Sequence, residues 1–245
     1  MAYLSVKLDH VATLREARKG KFPDPSHAVV MAEHAGVDGI AIHLRRDRRH
    51  IRQRDVVLLK EVVSSRLTVE IEPNEENVAH MLEVKPYMVT FVPETDREIT
   101  TQAGLTLTDD YDEIADMTRR LQTVGVKVTV HIEPDTDLVK QASRMGVDAV
   151  RLHTGMYANA RTEQEGLTEL ARLEKAARAA GKGNLLVLAA CGLDYQNLPP
   201  VVKMGIIDEF VVGFAVVARA VVSGMDRAVR DMLDIVRREA LQPGP

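Results

Sequence analysis

The 245-residue chain has a single cysteine, Cys191, so no disulfide can close within it. No apolar run reaches the roughly 20 residues that a membrane-spanning helix needs. The opening stretch MAYLSVKLDH is broken by Lys7 and Asp9 and is no signal peptide. A formal charge of -4 lacks the basic excess of a general nucleic-acid binder. No Gly-x-Gly-x-x-Gly follows the first apolar run, which argues against a dinucleotide-binding turn. No two histidines stand in tight His-x-His or His-x-x-x-His spacing, so no local motif announces a metal. With 45% hydrophobic and 28% charged residues, the composition is that of an ordinary soluble protein, expected in the cytoplasm.

What the chain does have is alternation. Short apolar runs, rich in β-branched residues, occupy 3–8, 39–44, 67–71, 87–92, 126–132, 149–152, 185–190 and 209–212. Between them lie segments expected as helices: one entered from the 19–25 loop and ending near His34, then 53–64, one from Glu75 capped by Asn74, 109–124, 135–145, 162–180 and a short one near 198–204. Two more, 216–222 and 226–238, close the chain. Strands that are apolar on both faces are buried parallel strands. Eight of them alternating with helices, in one domain over residues 1–245, predict an α/β fold: a (β/α)8 TIM barrel with extra short helices. A doubly wound open sheet is the rival. The stretch 93–108 is long for a loop and has no period, as a lid would.

In such a barrel the active site gathers at the C-terminal strand ends. Those ends carry Lys7, Asp9 and His10, then His43 and Arg45, Glu70 and Glu72, Thr90 and Glu94, His131 and Glu133, Arg151 and His153, Cys191, and Gly213 with Phe214. The loop 44–50 (LRRDRRH) adds cations and His50, and the arginine fork suits phosphate oxygens. At least two of Arg46, Arg48 and Arg49 are expected in solvent. His43 and Glu70 are candidates for a general acid/base pair, against a purely structural hydrogen bond. His10, His43, His131, Glu70 and Asp9 also hold the donor types of a zinc or manganese site. For Cys191 the choice is between an inert buried thiol and a nucleophile or acid.

Specific runs carry a family resemblance: 8–15 (LDHVATLR), 23–25 (PDP), 38–40 (DGI) leading to 43–45 (HLR), 47–51 (DRRHI), 92–94 (VPE), Thr100 with Thr101, and 153–155 (HTG) before Tyr157 and Ala158. In these the chain resembles the pyridoxine 5'-phosphate synthase family over essentially its whole length. The resemblance implies a barrel with added helices, dimers assembling into an octamer, and no metal or organic cofactor. It implies condensation of 1-deoxy-D-xylulose 5-phosphate with 3-amino-2-oxopropyl phosphate, releasing phosphate and water. Asp9, His10, Arg45, His50 and Thr100 match the family's contacts to the phosphosugar. His43 and Glu70 resemble two proton-transfer residues, and Arg18 one that reaches an adjacent subunit's site. Gly192 and Gly213 match backbone positions around the second phosphate.

Four positions depart from that pattern. Lys7 stands where the family has asparagine, Arg151 where it has glutamate, and Cys191 and Phe214 where it has histidines. All four fall on the aminoketone side. Arg151 reverses a charge beside the expected ammonium group, and Lys7 adds another cation. This half-site therefore suits an anionic or uncharged co-substrate better. Lys7 is either an imine-forming amine, if desolvated among cations, or a cation paired with Asp9 or Glu72. Three readings follow: the family reaction, a paralogous condensing or lyase reaction on a similar phosphosugar, and a non-catalytic phosphosugar sensor or assembly partner.

Overall fold

Eight strands pair in parallel, each with its neighbour in sequence, and the last returns to the first to close a barrel. The computed structural model describes residues 2–95, 103–108 and 110–240. In chain order the elements are β1 (Tyr3–Lys7), α1 (Asp9–Ala17), α2 (Pro25–Ala35), β2 (Gly39–His43), α3 (Gln53–Val62), β3 (Arg66–Ile71), α4 (Glu75–Val84) and β4 (Met88–Phe91). There follow α5 (Tyr111–Thr123), β5 (Lys127–Ile132), α6 (Thr136–Met145), β6 (Ala149–His153), α7 (Gly155–Ala158) and α8 (Glu163–Lys182). The chain ends with β7 (Leu186–Ala190), α9 (Leu198–Lys203), β8 (Glu209–Val212), α10 (Phe214–Ser223) and α11 (Met225–Ala240). The closed parallel order is the (β/α)8 barrel expected from the alternation, and the open-sheet rival falls away. No helix among the described residues is long and apolar enough to cross a membrane.

Local chemistry sets the helix starts. Asp24 caps α2 through Ser26 N, with Pro25 at the first helical position, and Gly36 ends the helix at φ 102°. The Asn74 side chain accepts from Asn77 N, as the sequence predicts. Helices α1 and α7 were not anticipated. Leu8, at the N-cap of α1, offers no capping side chain, and α7 spans only four residues, too few to show a period.

Strand alternation builds two shells. One set of side chains, including Leu4, Val6, Ile40, Ile42, Val69 and Ile71, packs under the helices in a continuous core. The other set points inward, where Ala41, Met88, Ala149, Leu188, Ala190 and Val211 fill the middle of the barrel. Below them Ser5 Oγ donates to Glu209 Oε1 at 2.5 Å, across the β1–β8 seam. Gly39 is required there, since a Cβ would lie 2.4 Å from Ser5 Oγ. Above the apolar layer the inward positions turn polar, and these residues form the site.

The lid expected over 93–108 lies partly outside the described residues. Its far end is fastened to β5: Leu105 N donates to His131 O at 2.7 Å and Gly104 N to Glu133 Oε1 at 2.9 Å.

Candidate active site

The polar end of the barrel opens into a cavity of about 610 Å³. Lys7, Asp9, His10, His43, Arg45, His50, Glu70, Arg151, Cys191, Gly192, Gly213 and Phe214 all line it. Arg18, expected to serve an adjacent subunit's site, is exposed at the end of α1, and Thr100 lies outside the described residues.

At the centre is Glu70, whose carboxylate is held on both sides. Arg151 Nη1 donates to Oε1 at 2.5 Å and Lys7 Nζ to Oε2 at 2.7 Å. Burial would raise the Glu70 pKa, but Arg151 and Lys7 outweigh it and hold the group well below the usual carboxylate range. Lys7 also reaches Asp9 Oδ2 at 3.2 Å. Burial works to lower the Lys7 pKa, yet Glu70 and Asp9 together raise it. The amine therefore keeps its proton, and the imine reading of Lys7 gives way to the paired cation. Its partners are Asp9 and Glu70, not Glu72.

His43 is placed differently from the expected pairing with Glu70. Its Nε2 lies 3.0 Å from Glu94 Oε1, whereas its Nδ1 is 3.9 Å from Glu70 Oε2. Glu94 is fixed in turn by Arg46 N at 2.9 Å, and the His43 backbone N–H donates to Asp9 Oδ1 at 2.7 Å. The hydrogen-bonded carboxylate partner of His43 is thus Glu94 and not Glu70. Glu94 was visible as a strand-end carboxylate, but nothing in its local sequence ties it to His43.

Arg45 and His50 flank the same wall. Arg45 is 2% exposed and donates to Thr95 O at 3.1 Å. His50 Nδ1 accepts from Ile51 N at 2.8 Å, which assigns its proton to Nε2. Burial lowers its pKa to about 4, so the ring is a neutral donor. Arg46 and Arg49 are exposed and Arg48 half-buried, as expected of a solvated loop.

Elsewhere around the cavity, Gly192 has φ +76°, and a Cβ there would lie 2.5 Å from Ala158 Cβ. Gly213 caps α10, whose first residue, Phe214, is 69% exposed and meets the His10 ring edge-on at 5.4 Å. This helix start is a ready anion site. Burial pushes the Cys191 thiol up to about 11 despite Arg151 and Lys7, so it is no thiolate nucleophile at neutral pH. The metal set read from sequence does not assemble. Glu70 is taken up by two cations, and His131 stands instead beside His153 and Cys191.

Comparison with known proteins places the chain in a family. The family model described as "Pyridoxal phosphate biosynthesis protein PdxJ" matches residues 4–238. The chain is 46% identical over 237 residues to the pyridoxine 5'-phosphate synthase of Geobacter sulfurreducens, covering 97% of this chain and 99% of that protein. It is 45% identical to the synthase of Geotalea uraniireducens, with the same coverage of 97% and 99%. Among solved structures the native KDPGal structure superposes with a TM-score of 0.63 at 14% identity, covering 98% of this chain and 100% of that one. TrpF from Jonesia denitrificans gives 0.61 at 14% identity, with 100% of both chains covered. These two share the fold alone. On the strength of the near-complete family match and the full-length relatives, this chain belongs to the pyridoxal phosphate biosynthesis protein PdxJ family.

Proposed function

We propose that this chain is a pyridoxine 5'-phosphate synthase-type enzyme, condensing 1-deoxy-D-xylulose 5-phosphate with 3-amino-2-oxopropyl phosphate and releasing phosphate and water. The observation that carries the reading is the wall of Asp9, His10, His43, Arg45 and His50, all on one cavity. Arg45 and the neutral His50 donor suit the sugar phosphate. His43, poised by Glu94, suits proton transfer at the ketone. Glu70 is a poor base here, because two cations stabilise its charged form; its part is to fix Lys7 and Arg151. The start of α10 and the Gly192 turn suit the second phosphate.

The Lys7–Glu70–Arg151 cluster favours a second reading, in which the same phosphosugar meets an anionic or uncharged partner. An ammonium group beside Arg151 would find its natural counter-ion, Glu70, already engaged. The assay that separates the two is pyridoxine 5'-phosphate formation by the purified chain with both substrates. Turnover supports the first reading. Its absence, with titration calorimetry still showing tight phosphosugar binding, moves the chain to the second, and failure to bind the sugar phosphate defeats both. The same family reading makes the protein a cytoplasmic homo-oligomer in which Arg18 serves a neighbouring subunit.

A further inference from the structure

Behind the cavity wall, three neighbouring strand ends converge. His131 closes the inward row of β5, His153 ends β6, and Cys191 follows β7 directly. One donor atom from each lies within 4.8 Å of the other two. The two histidine rings meet edge-on at 5.2 Å. His131 is fully buried and His153 is 5% exposed. The reaction proposed above uses neither ring.

We propose that His131, His153 and Cys191 form a zinc-binding site that opens on the substrate cavity. Two imidazoles and one thiolate suit a borderline-soft divalent ion, and three protein ligands leave a tetrahedral position for water or a substrate oxygen. The spacing fits. Bonds of about 2.3 Å to sulfur and about 2.0–2.1 Å to nitrogen, at a tetrahedral angle, put those donors about 3.6 Å apart. Cys191 Sγ and His131 Nε2 are 3.6 Å apart.

The surroundings fit as well. His131 Nδ1 lies 3.1 Å from the Arg151 carbonyl oxygen. The same nitrogen accepts from Arg151 Nε at 3.1 Å, which puts the resting proton on Nε2, facing Cys191. Zinc binding therefore requires the other tautomer, with Nδ1–H donating to that carbonyl, a common outer partner of a metal-bound histidine. His153 Nδ1 is 3.3 Å from Glu133 Oε1, a carboxylate beside the second ligand. Cys191 has φ +87°, a strained conformation for a residue with a Cβ, and Thr154 Oγ1 pins its carbonyl at 2.5 Å. Charge balances too: Lys7 and Arg151 are matched by Asp9 and Glu70, so the ion's two charges meet the Cys191 thiolate and Glu133. The competing account is a plain buried hydrogen bond from His131 to the Cys191 thiol. This inference does not rest on the reaction assigned to the cavity.

The experiment is metal titration of the full-length protein after chelator treatment. Zinc is titrated against a chromophoric chelator, and cobalt is followed by absorption. The proposal expects one zinc per chain and a cobalt–thiolate band in the near ultraviolet, a signal that needs no variant to interpret. Cys191→Ser should abolish that band, and Cys191→Ser and His131→Gln should each weaken zinc binding by roughly a hundredfold. His50→Ala, on the far wall, should leave binding unchanged. Lack of stoichiometric zinc binding, a cobalt complex without the thiolate band, or an affinity indifferent to both ligand variants would overturn the site.

Discussion

Arg151 and Glu70 meet across the barrel mouth, from β6 to β3, at 2.5 Å, with their side chains 2% and 1% exposed. Removing one member of such a pair strands a buried charge, at a cost of about 3–5 kcal/mol. Glu70→Gln leaves Arg151 without that partner and should lower stability by that order in urea denaturation, whereas Arg151→Met leaves Glu70 its bond to Lys7 and should cost less. The double variant should cost clearly less than the two single losses added together. Additive losses would mean that the two groups do not depend on each other.

His43 and Glu94 should behave as one unit in turnover. Neutralising either, as His43→Gln or Glu94→Gln, is expected to lower kcat by roughly 10²–10⁴, with a smaller change in substrate affinity. Single-turnover rates and calorimetry measured on the same samples separate the two effects. A Glu94→Gln enzyme with wild-type kcat would remove Glu94 from the proton-transfer unit.

His50 gives the fold an acid-sensitive element. Its folded pKa of about 4 lies below the ordinary histidine value of 6.5, with burial as the main cause, Asp9 opposing it, and His43, Lys7 and Arg45 adding to it. Between those values the unfolded chain binds the proton and the folded chain does not. Stability from this group is therefore present above pH 6.5 and falls as the pH drops toward 4, by about 3 kcal/mol in all. His50→Asn keeps an acceptor for Ile51 N and does not titrate. Denaturation midpoints from pH 7 to 4 should fall less steeply for that variant than for wild type, and parallel slopes would contradict the assignment.

Arg18 is exposed and off the wall of its own cavity, so the proposed role across a subunit boundary predicts complementation. Arg18→Ala and Arg45→Ala should each be weakly active alone. Mixed and reassembled, they should regain activity, because some shared sites then carry neither change. Light scattering should show an oligomer, and a fully active monomer would exclude sharing.

Much of this site was legible because a short apolar run that stops at a polar residue is a local signal. In a parallel barrel all such strand ends share one face, which is enough to bring Lys7, His43, Glu70 and Arg151 together. What those groups do to each other was not legible. Glu70 and Arg151 are 81 residues apart, and no local pattern states that one will neutralise the other. The same limit placed His131 with His10 and His43, though β5 stands across the barrel from β1 and β2. The helix α1 was missed for the opposite reason: it follows β1 after the single residue Leu8, with no turn residue or side-chain cap to mark its start.

The β1–β8 seam has a consequence for how the chain is made. Ser5 and Glu209, joined across it, are separated by 204 positions, so the N-terminal strand has no partner on that side until nearly the whole chain has been synthesised. A nascent chain that has left the ribosome only as far as β7 carries two open strand edges, each able to pair with another copy. Completion of the ring removes both at once. Barrel closure should therefore be a late and slow event in folding, and chains truncated before β8 should aggregate instead of accumulating as partial barrels.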